Sequence, residues 1–96
     1  MQQMTMDELK ENLIANRKYF LLDVRNADEH AAFNIGGTVI PLNEIMNNVA
    51  RIPTDEPVIV CCRKGLRSQI AIQRLEIRYG FTNLINLQGG VQYWER

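Results

Sequence analysis

Short, nearly continuous apolar runs alternate along this chain with segments whose apolar residues recur every three or four positions. Thr5-Met6-Asp7-Glu8 has the form of a capping box and precedes Leu9, Leu13 and Ile14, so the spacing predicts a first helix over about residues 6–16. The run Tyr19 to Val24 predicts a strand covered on both faces. Asn26-Ala27-Asp28-Glu29 predicts a turn into a short helix near Ala31–Phe33, which Gly36-Gly37 breaks. Thr38-Val39-Ile40 is a brief strand ending at Pro41. Asn43 is placed to cap a helix carrying Ile45, Met46, Val49 and Ile52, with Pro53 ending it. Pro57 to Cys61 is the most β-like stretch. A helix over Ser68 to Arg78 follows, with Ile70, Ala71, Ile72, Leu75, Ile77 and Tyr79 as a broad apolar face and Gly80 as its stop. Asn83 to Leu87 is the last strand, and Gly89-Gly90 turns the chain into a terminal helix containing Val91 and Trp94.

Strands alternating with helices at these lengths predict an α/β fold, a parallel sheet sandwiched between helices. The 96 residues fit one domain, residues 1–96, with no repeat, linker or low-complexity segment. Eleven basic and eleven acidic side chains cancel, so no global field draws the chain to nucleic acid or to an acidic membrane surface. Any positive field is local, which singles out Arg63, Lys64 and Arg67. The first residues lack the continuous apolar run of a signal peptide, and no stretch approaches the roughly 20 apolar residues that span a bilayer. The only cysteines, Cys61 and Cys62, are adjacent, a poor arrangement for a stapling disulfide. With one histidine, His30, they make no zinc ligand set, so no metal is expected. The expected compartment is a reducing cytoplasm.

Val60-Cys61-Cys62-Arg63-Lys64-Gly65-Leu66-Arg67-Ser68 carries the candidate chemistry. A buried strand ends in cysteine, a short basic loop follows, and a helix begins. Ligands of open α/β sheets bind outside the carboxyl ends of the strands, where Cys62 would sit. Loop amides curled into a nest, the helix N-terminus and the cations all favour an anionic sulfur there. Cys62 therefore reads as a nucleophile. Cys61 points the opposite way along the strand and reads as core. Gly65 supplies backbone freedom in a tight loop. Ser68 either donates to Cys62 or caps the helix. Arg63, Lys64 and Arg67 read as anion-binding, with Arg67 alternatively pairing Asp23 or Glu29. Asp23 and Arg25, at a strand end, read as loop-fixing residues, Gly89, Gly90 and Trp94 as turn and packing, and His30 as a surface residue.

Cys-Arg-Lys-Gly-Leu-Arg-Ser resembles the active-site loop of rhodanese-like domains. Asp23-Val24-Arg25 with Glu29 four residues on, Asn34 through Leu42, and Gly80-Phe81-Thr82-Asn83 with Leu87-Gln88-Gly89-Gly90 and Trp94 resemble further family motifs in the same order. The resemblance implies a three-layer fold with a central, about five-stranded parallel sheet, so a strand is missing before Thr5. It implies a sulfurtransferase in which Cys62 takes the outer sulfur of thiosulfate or a persulfide donor and passes it to a thiophile, with no cofactor beyond that covalent persulfide. Arg63, Lys64, Gly65, Leu66, Arg67 and Ser68 would form the substrate-binding loop. The loop from Cys62 to Arg67 has the length of sulfur-transferring members, whereas related phosphatases and arsenate reductases carry one residue more. Asn34-Ile35-Gly36-Gly37 is similar to rhodanese domains fused behind adenylating enzymes of sulfur-carrier pathways, which implies a protein persulfide or sulfur carrier as partner. A non-catalytic sulfur-relay or docking module is the alternative.

Overall fold

The computed structural model describes residues 1–94. Their five strands are β1 (Gln2–Met4), β2 (Phe20–Asp23), β3 (Thr38–Val39), β4 (Val58–Cys61) and β5 (Leu84–Leu87). They form one sheet in the order β1-β5-β4-β2-β3, parallel at every pairing. Parallel neighbours need crossover connections, and α1 (Met6–Ile14), α2 (Ala27–Ala32) and α3 (Arg67–Tyr79) lie in those connections. No helix among the described residues is long and apolar enough to cross a membrane.

The central strands β4 and β5 are buried at every position, as unbroken apolar runs require when helices cover both faces. Side chains alternate between two cores. One contains Leu22, Val58, Val60, Cys62, Ile72 and Leu75. The other contains Leu9, Leu21, Ile59, Cys61, Ile85 and Leu87. Strand periodicity thus sends Cys61 and Cys62 to opposite sides. The capping box starts α1 as its sequence predicts: the Thr5 hydroxyl accepts from the Glu8 amide at 3.1 Å, and the Glu8 carboxylate accepts from the Thr5 amide at 3.4 Å.

Several elements differ from their sequence patterns. The strand missing from the periodicity is β1, which pairs with β5 at the edge of the sheet. Residues 42–51 form two 3₁₀ segments, Leu42–Asn47 and Val49–Arg51, rather than one α-helix. The Asn48 side chain donates to the Glu44 carbonyl at 2.8 Å, occupying the acceptor that its own backbone amide would use in an α-helix. That amide bonds Ile45 instead. α2 begins at Ala27, well before Ala31, because Glu29 accepts from the Asn26 amide and starts the helix there. The terminal helix is a single 3₁₀ turn, Val91–Tyr93. Leu13 and Ile14 are exposed, and α1 buries only Leu9.

The predicted apolar face of α3 is narrower than its composition. Ser68, Ala71, Ile72 and Leu75 are buried, whereas Ile70, Tyr79 and Ile77 are exposed by 40%, 50% and 87%. At 3.6 residues per turn, positions 68, 71, 72 and 75 share one side, and positions 70 and 77 fall outside it. Leu75→Ala should therefore lower unfolding stability by about 2–5 kcal/mol. Ile77→Ala should change it by no more than about 0.5 kcal/mol. Urea denaturation of both variants measures this, and equal losses would mean that α3 is rotated from the position described.

Candidate functional site

β4 delivers Cys61 at its carboxyl end, and residues 62–66 link it to α3. Gly65 adopts φ +91, a left-handed turn that L side chains rarely take. The turn brings two amides onto one sulfur. Cys62 Sγ accepts from the Gly65 N–H at 3.1 Å and from the Ser68 N–H at 3.4 Å. Amides turned inward leave carbonyls turned outward, and these are bound from behind. The Val91 N–H donates to the Cys62 carbonyl at 2.9 Å and the Gln92 N–H to the Arg63 carbonyl at 3.0 Å. The Gln69 side chain donates to the Gly65 carbonyl at 2.8 Å. Gly90 makes this backing possible, since at φ +70 any Cβ would collide with the carbonyl groups of Cys62 and Arg63.

Beneath the sulfur lies a short polar chain. The Ser68 hydroxyl donates to Asn86 Oδ1, and Asn86 Nδ2 donates to Gln3 Oε1 at 2.7 Å. With its one proton given to Asn86, the hydroxyl offers Cys62 a lone pair and accepts from the thiol at 3.5 Å. Of the two things its position allowed, Ser68 donates to Cys62, through its amide rather than its hydroxyl, and Leu66 is the N-cap residue of α3. Asn86 is 1% exposed. A polar residue inside the apolar run of β5 was the signal for it, but the run alone does not say what it binds. The contributions of Val91 and Gln92 are backbone contacts and leave no side-chain signature.

A second chain of contacts fixes the loop from the side. Asp23, buried at the end of β2, takes the Arg25 guanidinium at 2.8 Å and His30 Nδ1 at 2.8 Å. Arg25 also donates to the Phe33 carbonyl at 2.6 Å, tying β2 to the end of α2. Burial opposes charge on Asp23, but the bonds from Arg25 and His30 outweigh it and hold the carboxyl below its usual range. His30 is therefore a half-buried partner of Asp23 rather than a free surface residue. From the same α2, Glu29 grips Arg67 with both oxygens, at 2.7 and 2.9 Å. Of the two partners open to Arg67, the structure selects Glu29. Asp23 and Arg25 hold α2 and its flanks, and neither bonds Cys62 among the described residues.

Cys62 is 1% exposed, yet it forms part of a cleft of about 240 Å³ with Arg63, Lys64, Leu66 and Arg67. Two amides and surrounding cations stabilise negative charge on a sulfur, or on a small anion bound to it. Cys61 has neither. Burial, with the Asp23 charge adding to it, pushes its thiol far above the usual range. The loop residues expected from the sequence thus converge on one sulfur, while Asp23 and Arg25 act one step removed.

The Glu29–Arg67 pair carries a pH signature. The Arg67 hydrogen bonds hold the Glu29 carboxyl down at about 2, against an ordinary 4.5. A carboxyl depressed on folding stabilises the fold above its unfolded value, and that stabilisation is lost as pH falls from about 4.5 through about 2. Melting temperature between those pH values should fall less steeply in Glu29→Gln than in wild type. Parallel acid limbs would show that the pair adds no stability.

The family model "Rhodanese-like domain" matches residues 5–96. A "Sulfurtransferase" of Allochromatium vinosum is 31% identical over 91 residues, covering 94% of this chain and 84% of that protein. The Mycobacterium tuberculosis "Probable adenylyltransferase/sulfurtransferase MoeZ" is 30% identical over 95 residues, covering 96% of this chain, which spans only 24% of that protein's length. The crystal structure of a rhodanese-like domain protein from Staphylococcus aureus superposes with a TM-score of 0.88 at 29% identity, covering 98% of this chain and 91% of that one. With the parallel sheet and the Cys62 loop, these matches establish that the chain belongs to the family of rhodanese-like domains.

Proposed function

We propose that this domain transfers sulfane sulfur through a persulfide on Cys62. Family membership and a relative named as a sulfurtransferase support a sulfurtransferase or sulfur-relay role. The observation that carries the finer reading is the pair of amides, from Gly65 and Ser68, directed at Cys62 Sγ on the floor of a cation-bearing cleft. Amides directed at one sulfur are suited to the negative charge that develops there during transfer.

In the first half-reaction the Cys62 thiolate attacks the outer sulfur of the donor. With thiosulfate, the bond between the two donor sulfurs breaks and sulfite leaves with the electron pair. With a persulfide donor, the donor's inner sulfur leaves as thiolate. In the second half-reaction a thiophile attacks the outer sulfur, and Cys62 departs as thiolate. Neither step removes a proton from carbon or oxygen, so no general base is needed once the thiol is ionised. Arg63 and Lys64 would meet the charge of an anionic donor. Asp23, Arg25 and His30 act as positioning residues through α2. A protein persulfide or sulfur carrier is the partner suggested by the relative named as an adenylyltransferase and sulfurtransferase.

Intact mass after incubation with thiosulfate, in wild type and Cys62→Ala, tests the reading. Wild type should gain one sulfur atom and lose it to cyanide as thiocyanate, and Cys62→Ala should gain none. A folded wild-type protein that gains no sulfur from thiosulfate or from a persulfide donor would overturn it. Loading that survives in Cys62→Ala would move the chemistry to another residue.

A further inference from the structure

Two more clefts are linked to the one at Cys62 through shared arginines. The first, about 360 Å³, is lined by Val24, Asn26, Leu42, Asn43, Arg67 and Arg74 and shares Arg67 with the Cys62 cleft. The second, about 490 Å³, shares Arg74 with it and is lined also by Met46, Ile70, Gln73, Ile77 and Arg78. Arg67 and Arg74 thus link the three clefts in series, a track along α3.

Two properties set this track apart on a chain of zero net charge. Among the described residues no Asp or Glu lines any of the three clefts, whereas five cations do. Arg67 is matched by Glu29, but Lys64, Arg74 and Arg78 form no ion pair among the described residues. Between the cations, apolar side chains stand in solvent: Leu66 is 66% exposed, Ile70 40% and Ile77 87%. Exposed apolar groups set among unmatched cations fit a partner of the opposite sign.

The geometry points to this track as the docking site for an extended acidic segment, with interspersed apolar residues, of the protein that exchanges sulfur with Cys62. The assignment rests on the sulfur-transfer reading and adds the partner's chemistry to it. The rise from residue 66 to residue 78 is about 18 Å at 1.5 Å per residue, which matches five or six residues of extended chain at about 3.3 Å each. A thiol at the end of that segment would reach the Cys62 persulfide. Its thiolate attacks the outer sulfur, the bond from that sulfur to Cys62 breaks, Cys62 keeps the electron pair, and the segment leaves as a persulfide.

Two synthetic peptides test this: a terminal Cys followed by alternating Glu and Leu, and a counterpart with Lys in place of Glu. Binding is read at low salt on unloaded protein by fluorescence anisotropy, with Ser replacing the peptide Cys. Transfer is read as loss of sulfur from loaded Cys62, with free cysteine as reference. The Glu peptide should bind and accept sulfur about tenfold better than the Lys peptide. Raised salt or the double variant Arg74→Glu, Arg78→Glu should erase that preference while leaving transfer to free cysteine unchanged. Both arginines are exposed, so the variant should fold. Equal behaviour of the two peptides, or a preference that survives charge reversal, would overturn the docking site and leave the sulfur chemistry standing. Discrimination in binding on a protein that never loads sulfur would instead overturn the sulfur-transfer reading and the partner's assignment with it. A dimer in sedimentation that Ile77→Glu dissociates would assign the track to a second copy of this chain and overturn the proposal.

Discussion

A peptide loop cannot turn its amides toward one point unless its carbonyls find partners on the other side, because buried backbone groups left unpaired cost as much as a lost hydrogen bond. In this domain that condition is met by the first amides of the terminal 3₁₀ turn. Val91 and Gln92 take the carbonyls of Cys62 and Arg63, and only then do the amides of Gly65 and Ser68 face the Cys62 sulfur. The contact needs Gly90, where no side chain fits between the two backbones. The site is therefore built from the Val91–Tyr93 turn as much as from the cysteine loop. It also depends on β5, which delivers that turn, and on β4 beside it, which delivers the loop.

Charge does the lateral work. The buried Asp23 has its charge distributed over the Arg25 guanidinium, the Arg25 amide and the His30 ring. Burial alone would disfavour its ionised form, and the bonds it accepts reverse that. The result ties the end of β2 to α2, and Glu29 on α2 then holds Arg67 at the head of α3. The Glu29–Arg67 pair is about one-third exposed, so its Coulomb energy is screened and its worth lies in geometry more than in stability. A bidentate carboxylate–guanidinium pair fixes orientation as well as distance. With Arg67 turned toward Glu29, one of the loop cations is already bound within the protein.

Much of this was legible in the residues. The apolar runs at residues 19–24, 57–61 and 83–87 correspond to the three innermost strands, because strands covered on both faces admit little else. Strand alternation alone separates Cys61 from Cys62. β1 was not legible from periodicity: Gln2 and Gln3 are polar and exposed, and only the family resemblance required a strand there. The 3₁₀ segments escaped because helical spacing does not separate two short 3₁₀ turns from one α-helix when a side chain competes for a backbone carbonyl. Exposed Ile70 and Ile77 misled the reading of α3, since composition names apolar residues without saying which side is covered. His30 and Asn86 escaped for the opposite reason. Each acts through one tertiary partner, Asp23 or Ser68, that spacing along the chain does not reveal.

Two adjacent cysteines, each 1% exposed, share a strand end but not an environment: two backbone amides donate to the Cys62 sulfur, whereas burial pushes the Cys61 thiol far up. Site-resolved iodoacetamide labelling of the folded protein at neutral pH tests this most directly, with the two cysteines distinguished by peptide mass. Cys62, reached through its cleft and held by two amides, should label rapidly, while Cys61 should stay unmodified until the protein unfolds. Slow labelling of both at the same rate would mean that the loop does nothing for its sulfur.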